Sequence, residues 1–173
     1  MDKFYTVDIA GVKRDLLRCP INDKLDIAAF NIFGDVEITV HAAAELLKKL
    51  PEFDYIVTPE AKSIPLAYEM SRQCGKKYFV ARKKEKIYMK DPVAVEVKSI
   101  TTDSIQRLIL DSRDGEMIRG KRVVLLDDVI STGESIAAVE ALAERFDCNI
   151  VAKAAVLAEG DAALRDDITF LAV

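Results

Sequence analysis

Short apolar runs alternate with longer amphipathic segments along most of the chain. Runs of apolar and β-branched residues that favour buried strands occupy residues 55–58, 78–81, 123–126 and 150–157. Segments that repeat apolar residues at helical spacing occupy residues 39–50, 64–74 and 136–146. Strand, helix and strand in this order imply right-handed crossovers and a parallel sheet. The pattern therefore predicts an α/β fold, with a mainly parallel twisted sheet flanked by helices.

Residues with strong backbone preferences mark the expected ends of the helices. Thr39 is a suitable N-cap for a helix that runs to about Leu50, just before a proline. The next helix is expected to start near Pro65 and to end at Gly75, because proline is tolerated at a helix start and glycine favours the C-terminal cap.

The remaining segments are expected to form edges, loops and turns. Residues 4–9 and 168–173 are apolar enough for strands, the first of them at an edge. Residues 18–26 are expected to form a loop around Pro20, and residues 114–115 a turn that ends in glycine. Residues 87–106 carry many β-branched residues without a helical period, which predicts a long β-ribbon or mobile flap.

Composition narrows the class of protein. Of the 173 residues 50% are apolar, which is enough for the core of one domain. The net charge of −4 argues against a nucleic-acid-binding surface. Apolar runs are too short for a membrane span, and the N-terminus lacks the apolar core of a signal peptide. We therefore expect a cytoplasmic protein with neither a nucleic acid nor a membrane as its partner.

The candidate chemistry is concentrated in residues 123–135, where apolar residues lead into two adjacent carboxylates. Asp127 and Asp128 are expected at the C-terminal end of a strand, where ligands bind in open α/β sheets. Two neighbouring acceptors suit the two donors of a vicinal diol. Residues 131–135 then offer hydroxyls, Gly133 and the N–H groups of a helix start, which suit a phosphate dianion. Together, a diol site and a phosphate site describe a ribose 5-phosphate.

Residues 127–135 as a unit resemble the phosphoribosyl pyrophosphate (PRPP) signature of type I phosphoribosyltransferases, in the purine branch that holds adenine and xanthine enzymes. The resemblance implies that the ribose phosphate binds to Asp127, Asp128, Val129, Ile130, Ser131, Thr132, Gly133, Glu134 and Ser135. An acid at the position of Glu134 is a mild departure from the family, and its side chain is expected to point away from the phosphate.

Two further stretches match the family in the expected order. Residues 58–65 resemble its pyrophosphate loop, whose peptide can be strained or cis, and residues 80–84 resemble the strand that enters its catalytic flap. The resemblance implies that pyrophosphate binds to Glu60, Ala61, Lys62, Ser63, Arg82, Lys83 and Lys86. Taken alone, the first stretch would suit a solvated helix cap and the second an exposed basic turn.

The resemblance spans about residues 16–160 and implies a reaction. In it the 5-phosphoribosyl group of PRPP moves to a purine base and pyrophosphate leaves, with catalysis carried by Asp127, Asp128 and Arg82. It implies Mg²⁺ as a cofactor held by pyrophosphate, diol and water, with either aspartate contacting it only through water. It also implies one domain with an N-terminal hood (about residues 1–38), a flap (about residues 82–106) and a homodimer that shares the flap across its interface.

The sequence leaves the identity of the purine base open. Asn22 matches a base-contacting asparagine of xanthine enzymes, although an Asx turn explains it equally well. Val129 or Ile130 is expected to cover one face of the base, and Phe30 or Phe33 the other, although core packing suits both phenylalanines better. Residues 98–103 lack the glutamate that adenine-specific enzymes often carry after the flap, which favours a 6-oxopurine.

The alternative is a PRPP sensor without catalysis. Purine repressors of Gram-positive bacteria contain a similar domain, with Glu-Thr-Lys-Gly-Ile-Pro-Leu-Ala where this chain has residues 60–67. Those repressors add an N-terminal winged helix that binds DNA, which this acidic chain is expected to lack because it begins almost at the hood.

Overall fold

Parallel strands form the central sheet in the computed structural model, which describes residues 3–22, 25–98 and 105–173. These strands are β4 (Tyr55–Pro59), β5 (Tyr78–Ala81), β8 (Arg122–Ile130), β9 (Asn149–Ala158) and β10 (Ile168–Thr169). Their order across the sheet is β10-β9-β8-β4-β5. The predicted α/β fold with a parallel sheet is confirmed.

Helices cover both faces of this sheet. They are α1 (Val36–Lys49), α2 (Ile64–Cys74), α3 (Ser112–Ile118) and α4 (Glu134–Glu144), followed by a short 3₁₀ helix (Gly160–Leu164). The central strand β8 is buried on both faces, so its apolar residues do not alternate with polar ones. Val124 and Leu126 pack on the side of α1 and α2, whereas Val123 and Leu125 pack on the side of α4.

An antiparallel sheet lies in the N-terminal segment that is predicted to be the hood, and we keep this name for it. Its strands are β1 (Phe4–Ile9), β2 (Val12–Asn22) and β3 (Leu25–Ala29). The predicted edge strand β1 is confirmed, but the loop predicted at residues 18–26 is wrong. Pro20 lies inside β2, next to a shift in the register with β3. Such an irregularity accommodates a residue that has no N–H to donate.

A two-stranded ribbon forms the described part of the predicted flap. Strands β6 (Val93–Lys98) and β7 (Ile105–Leu110) pair in antiparallel fashion, as the β-ribbon prediction requires. Residues 99–104 lie outside the described part of the chain. Arg82 and Ile109 exchange backbone hydrogen bonds of 2.8 Å, so the ribbon is attached to the end of β5.

The start of α1 differs from the prediction. Asp35 is its N-cap, and the carboxylate accepts a hydrogen bond from Ile38 N at 3.1 Å. Thr39 lies within the helix, where its Oγ1 donates to Asp35 O at 2.7 Å. The cap is reinforced by Arg14 of the hood, whose Nε lies 2.7 Å from Asp35 Oδ2. The other predicted ends are confirmed. Helix α1 ends with Leu50 as its C-cap, and α2 begins at Ile64 next to Pro65 and stops at Gly75 with a φ of 72°.

Two further expectations are corrected by tertiary contacts. The turn predicted at residues 114–115 lies inside α3, whose N-cap Asp111 accepts a hydrogen bond from Arg113 N at 2.9 Å. The final strand is limited to Ile168–Thr169, after which the chain follows β9 through one isolated bridge between Leu157 and Ala172. No helix within the described residues has the length and apolar character needed to cross a membrane.

Candidate functional site

A cavity of about 880 Å³ opens at the edge of the central sheet where its parallel strands end. We call it the central cavity. The polar residues that line it come from the segments after β4, β5 and β9, from the end of β8, from the start of α4 and from β7 of the ribbon. They include Glu60, Lys62, Ser63, Lys83, Asp127, Asp128, Ser131, Ser135 and Glu159. The structure thus brings together most of the residues predicted to bind the ribose phosphate and the pyrophosphate.

The two adjacent carboxylates lie within the last residues of β8, not after it. Asp127 is 6% exposed and Asp128 is 4% exposed, although both line the central cavity. Asp127 Oδ1 accepts a hydrogen bond from Asp128 N at 2.9 Å. Burial and the charge of Asp128 raise the pKa of the Asp127 carboxyl well above its usual range, although a hydrogen bond from Ser135 opposes this.

Asp128 holds an acceptor atom that no hydrogen bond satisfies. Its Oδ2 is buried and lacks a hydrogen-bond partner among the described residues. Lys62 Nζ lies 3.3 Å from this oxygen, which is close enough for an ion pair but is not oriented as a hydrogen bond. An unsatisfied buried acceptor is costly. A hydroxyl donor from a ligand in the cavity would remove this cost.

The turn between β8 and α4 has the backbone geometry of an anion site. Gly133 is the N-cap of α4 and has a φ of 80°, a conformation that other residues rarely adopt. Glu134 N donates to Thr132 Oγ1 across the turn, at 3.5 Å. The next N–H groups of the first turn, those of Ser135 and Ile136, have no carbonyl partner within the helix, so they suit an anion above the turn.

The hydroxyl groups of Thr58 and Ser63 anchor the loop after β4 to the central sheet. Thr58 Oγ1 lies 2.8 Å from Ser63 Oγ and 2.9 Å from the carbonyl oxygen of Leu126 in β8. The peptide between Glu60 and Ala61 is cis, as the resemblance to the pyrophosphate loop allowed. Ser63 is fully buried, so it supports the loop from beneath while Lys62 stays half-exposed at the cavity.

The basic residues after β5 divide into two groups. Glu60 Oε2 accepts hydrogen bonds from Lys83 N at 3.0 Å and from Arg82 Nε at 3.2 Å. The backbone bond from Lys83 is the main reason why the pKa of Glu60 is lowered. Lys83 lines the central cavity, whereas Arg82 and Lys86 are not among its lining residues. Arg82 is instead held against Glu60 in this conformation.

The residues predicted to contact the base are only partly described. Asn22 ends β2, but its side chain lies outside the described part of the structure. Ile130 is 2% exposed and packs in the core on the side of α4, so it does not line the cavity. Val129, its neighbour on the strand, points the other way and lines the cavity together with Phe30 of the hood.

Two residues at this edge of the sheet were not predicted from the sequence. Glu159 follows β9, lines the central cavity and donates its backbone N–H to Ile130 O at 2.9 Å. Burial raises the pKa of its carboxyl. Arg165 follows the 3₁₀ helix, and its Nη1 lies 2.8 Å from where a Cβ on Gly133 would stand. No local motif marks either residue, because only the return of the chain along β9 brings them to the site.

The donor groups of the site suit a metal that is held mainly by a ligand. The described residues include no group of three or more His, Cys, Asp or Glu side chains that could enclose an ion. Asp127 and Asp128 supply carboxylate oxygens, one of them without a hydrogen-bond partner, which suit a water of a hydrated Mg²⁺. These residues therefore fit the Mg²⁺ that the resemblance implies.

Comparisons with known proteins agree with this geometry. The sequence profile described as "Phosphoribosyl transferase domain" matches residues 35–173. An adenine phosphoribosyltransferase of Cenarchaeum symbiosum is 33% identical over 116 residues, which cover 66% of this chain and 65% of that protein. The purine biosynthesis transcriptional repressor PurR of Bacillus subtilis is 30% identical over 110 residues, which cover 64% of this chain and 38% of that protein. The match thus spans less than two thirds of either relative.

The fold has close counterparts among solved structures. Adenine phosphoribosyltransferase of Saccharomyces cerevisiae superposes with a TM-score of 0.71, covering 91% of this chain and 92% of that one at 18% identity. At this identity the likeness concerns the fold, and the profile match over most of the chain shows the family. This chain belongs to the phosphoribosyltransferase family.

Proposed function

We propose that this protein is a purine phosphoribosyltransferase, which moves the 5-phosphoribosyl group of PRPP to a purine base, either a 6-oxopurine or adenine, and releases pyrophosphate. The observation that carries the proposal is the buried acid pair, with an unsatisfied oxygen on Asp128, beside the glycine turn that starts α4. These two features face the loop at residues 60–63 across one cavity. A ribose 5-phosphate with a pyrophosphate on C1 has the groups that each of them would bind.

Each part of the site has a separate task in this proposal. Asp127 and Asp128 accept hydrogen bonds from the 2- and 3-hydroxyls of the ribose, and the turn at residues 131–135 binds the 5-phosphate. The loop at residues 60–63 and the lysines Lys62 and Lys83 bind the pyrophosphate. The site holds C1 between the pyrophosphate and the base. The bond from C1 to the pyrophosphate oxygen breaks as a nitrogen of the base bonds to C1, so the transition state is oxocarbenium-like and no covalent nucleophile from the protein is needed.

The negative charge of the leaving pyrophosphate must also be neutralised. Bound Mg²⁺ would supply positive charge to the leaving pyrophosphate, with Asp127 or Asp128 contacting one of its waters. Lys62 is paired with Asp128 in this structure, at 3.3 Å, and we expect it to turn to the pyrophosphate when the diol takes its place. The hood and the ribbon exclude water from the reacting atoms.

The ribbon and the quaternary structure follow from the same proposal. Residues 82–106 act as the flap that closes during turnover, and the protein works as a homodimer in which this flap lies near the interface. Arg82 would leave Glu60 and reach the pyrophosphate on closure, in its own subunit or in its partner. Lys86 would add positive charge from the same segment.

An activity panel tests the proposal. The protein is incubated with PRPP and Mg²⁺ and with adenine, hypoxanthine, guanine or xanthine in turn, and pyrophosphate release is measured. We expect release with at least one base, and loss of release in Asp128→Asn without a loss of thermal stability. Orotate is tested in the same way. If neither these purines nor orotate support release while PRPP binds tightly to the wild type, the protein is a PRPP sensor and the catalytic proposal is wrong.

A second test addresses the role of Arg82. Arg82→Ala is expected to reduce kcat by roughly tenfold to a hundredfold while PRPP affinity changes less than threefold, because its contact is made mainly on closure. Lys84→Ala, in the same basic segment but without a proposed contact, serves as the control. An equal loss of kcat and PRPP affinity would contradict the role of Arg82 in the closed state.

A further inference from the structure

A second cavity, of about 910 Å³, lies between the hood and the turn that starts α4. We call it the hood cavity. It shares Ile27, Ala28, Ser131 and Glu159 with the central cavity, so the two cavities lie next to each other. Most of its wall is apolar and comes from the hood and the end of β9, but two arginines, Arg18 and Arg165, also line it. Neither arginine belongs to a motif that the proposed function uses.

Arg165 is held in place beside the turn at residues 131–135. Its Nε and Nη2 donate to the two oxygens of Asp167, at 2.8 and 2.7 Å. This two-point contact fixes the plane of the guanidinium and leaves Nη1 outside the pair. Nη1 lies 2.8 Å from where a Cβ on Gly133 would stand, and it makes no hydrogen bond to a protein acceptor within the described residues. A positively charged donor is thus held against the turn that starts α4.

Arg18 provides an independent observation on the part of the cavity wall that the hood forms. It pairs with Ala28 across the hood sheet and lines the cavity, on the same face of β2 as the buried Leu16. Its guanidinium lies 5.7 Å from the ring centre of Tyr5. Its Nε is buried and has no hydrogen-bond partner in the described part of the protein. A buried donor without an acceptor is costly, so a ligand acceptor would stabilise it.

The other inward arginine of this strand shows what a structural role looks like. Arg14 donates to Asp35 at 2.7 and 2.9 Å and to Glu37 at 2.7 Å, so its charge is matched within the protein. Arg18 has no such carboxylate among the described residues. The two arginines therefore differ in whether the protein itself supplies an acceptor, and the unpaired Nε of Arg18 indicates a ligand.

We propose that Arg165 and Arg18 form a clamp on the phosphate monoester of the substrate, from two sides of the turn at residues 131–135. This inference rests on the proposed function, because it takes the 5-phosphate of PRPP to bind at that turn. Backbone N–H groups alone would leave most of the dianion's charge unmatched, whereas two guanidinium groups would neutralise it. The carboxylates Glu134, Glu159 and Asp161 also line the hood cavity, so an anion there needs the positive charge of both arginines.

Binding of ribose 5-phosphate and of pyrophosphate, each measured by calorimetry, tests the clamp. Arg165→Gln and Arg18→Gln are each expected to weaken ribose 5-phosphate binding about tenfold or more, while pyrophosphate affinity stays within twofold. Arg165→Lys and Arg18→Lys should recover part of the loss because they keep the charge. Arg14→Gln, on the same strand as Arg18, is the matched control and should leave both affinities unchanged.

A further variant separates a binding role from a structural one. Asp167→Asn keeps Arg165 in the sequence but replaces the carboxylate that orients its guanidinium with an amide. Ribose 5-phosphate should then bind several-fold more weakly, while the pyrophosphate affinity stays unchanged. The clamp would be overturned if the arginine variants lost affinity for both ligands equally. It would also be overturned if either glutamine variant bound ribose 5-phosphate with wild-type affinity. A wild-type protein that binds no ribose 5-phosphate would instead overturn the proposed function.

Discussion

Asp127 is subject to two opposing requirements at the end of β8. A diol site needs an acceptor there, but the carboxyl is 6% exposed and lies beside a second buried acid. Burial and the charge of Asp128 raise its pKa, so ionisation of Asp127 at neutral pH costs folding free energy. Hydroxyl donors of the proposed ligand would offset this cost.

This electrostatic cost predicts the pH dependence of an Asp127→Asn variant. Because the folded pKa is raised, the protonated carboxyl favours the fold, and the benefit is lost as pH rises from the unfolded value through the folded one. The amide of the variant cannot ionise, and its oxygen can still accept a hydrogen bond from Asp128 N. We expect the variant to match the wild type near pH 4 and to exceed its free energy of unfolding by roughly 1–3 kcal/mol at pH 8.

Urea denaturation of the ligand-free proteins at several pH values measures this difference. The same variant should bind PRPP more weakly, because one diol acceptor is exchanged for an amide. A constant difference in stability between pH 4 and pH 8 would show that Asp127 titrates normally and that its ionisation carries no such cost.

Among the elements, α3 shows how a tertiary contact can override a local signal. The Asp114-Gly115 pair predicts a turn, yet both residues lie inside the helix. Gly115 is buried, and a Cβ there would stand 2.0 Å from Cε1 of Phe146. Phe146 is itself 3% exposed, so its ring has no room to move away. The glycine is therefore required by the close approach of this ring and not by a turn.

A Gly115→Ala substitution tests this explanation. In an exposed helix the change would stabilise the protein by about 0.5–1 kcal/mol, but overpacking against Phe146 should cost about 1–3 kcal/mol. We expect a net loss in the free energy of unfolding, measured by urea denaturation. In a double-mutant cycle with Phe146→Leu the loss should shrink, since the smaller side chain leaves room. A gain in stability from Gly115→Ala alone would contradict the packing argument.

Local sequence predicted the elements whose signals lie within them. The unit of β8, the turn and α4 could be predicted because apolar residues, acids and Gly133 follow one another directly. The strand at residues 18–22 could not, because it depends on pairing with β3. Arg165 was missed for a similar reason, since it is far from Gly133 in the sequence and meets it only after the chain returns along β9.

The central sheet separates two hydrophobic cores, one on each of its faces. The proposed ligand site lies between the hood and this sheet. One core contains the hood, α1 and α2, and the other contains α4 and the ribbon. The central cavity is lined by residues of the hood, of the ribbon and of the strand ends. A ligand in it contacts all of these parts at once, so its binding should stabilise the fold as a unit.

Thermal unfolding with and without PRPP and Mg²⁺ tests this coupling. At a PRPP concentration of 100 times its Kd the stabilisation should be about 2.7 kcal/mol, which corresponds to a rise in Tm of roughly 5–10 °C for a domain of this size. Pyrophosphate alone should give a smaller rise, because it leaves the diol acids and the turn at residues 131–135 without a ligand. Asp128→Asn should show little rise at the same PRPP concentration, whereas Lys84→Ala should behave like the wild type. An equal rise in Asp128→Asn and in the wild type would mean that PRPP stabilises the protein from a site other than the acid pair.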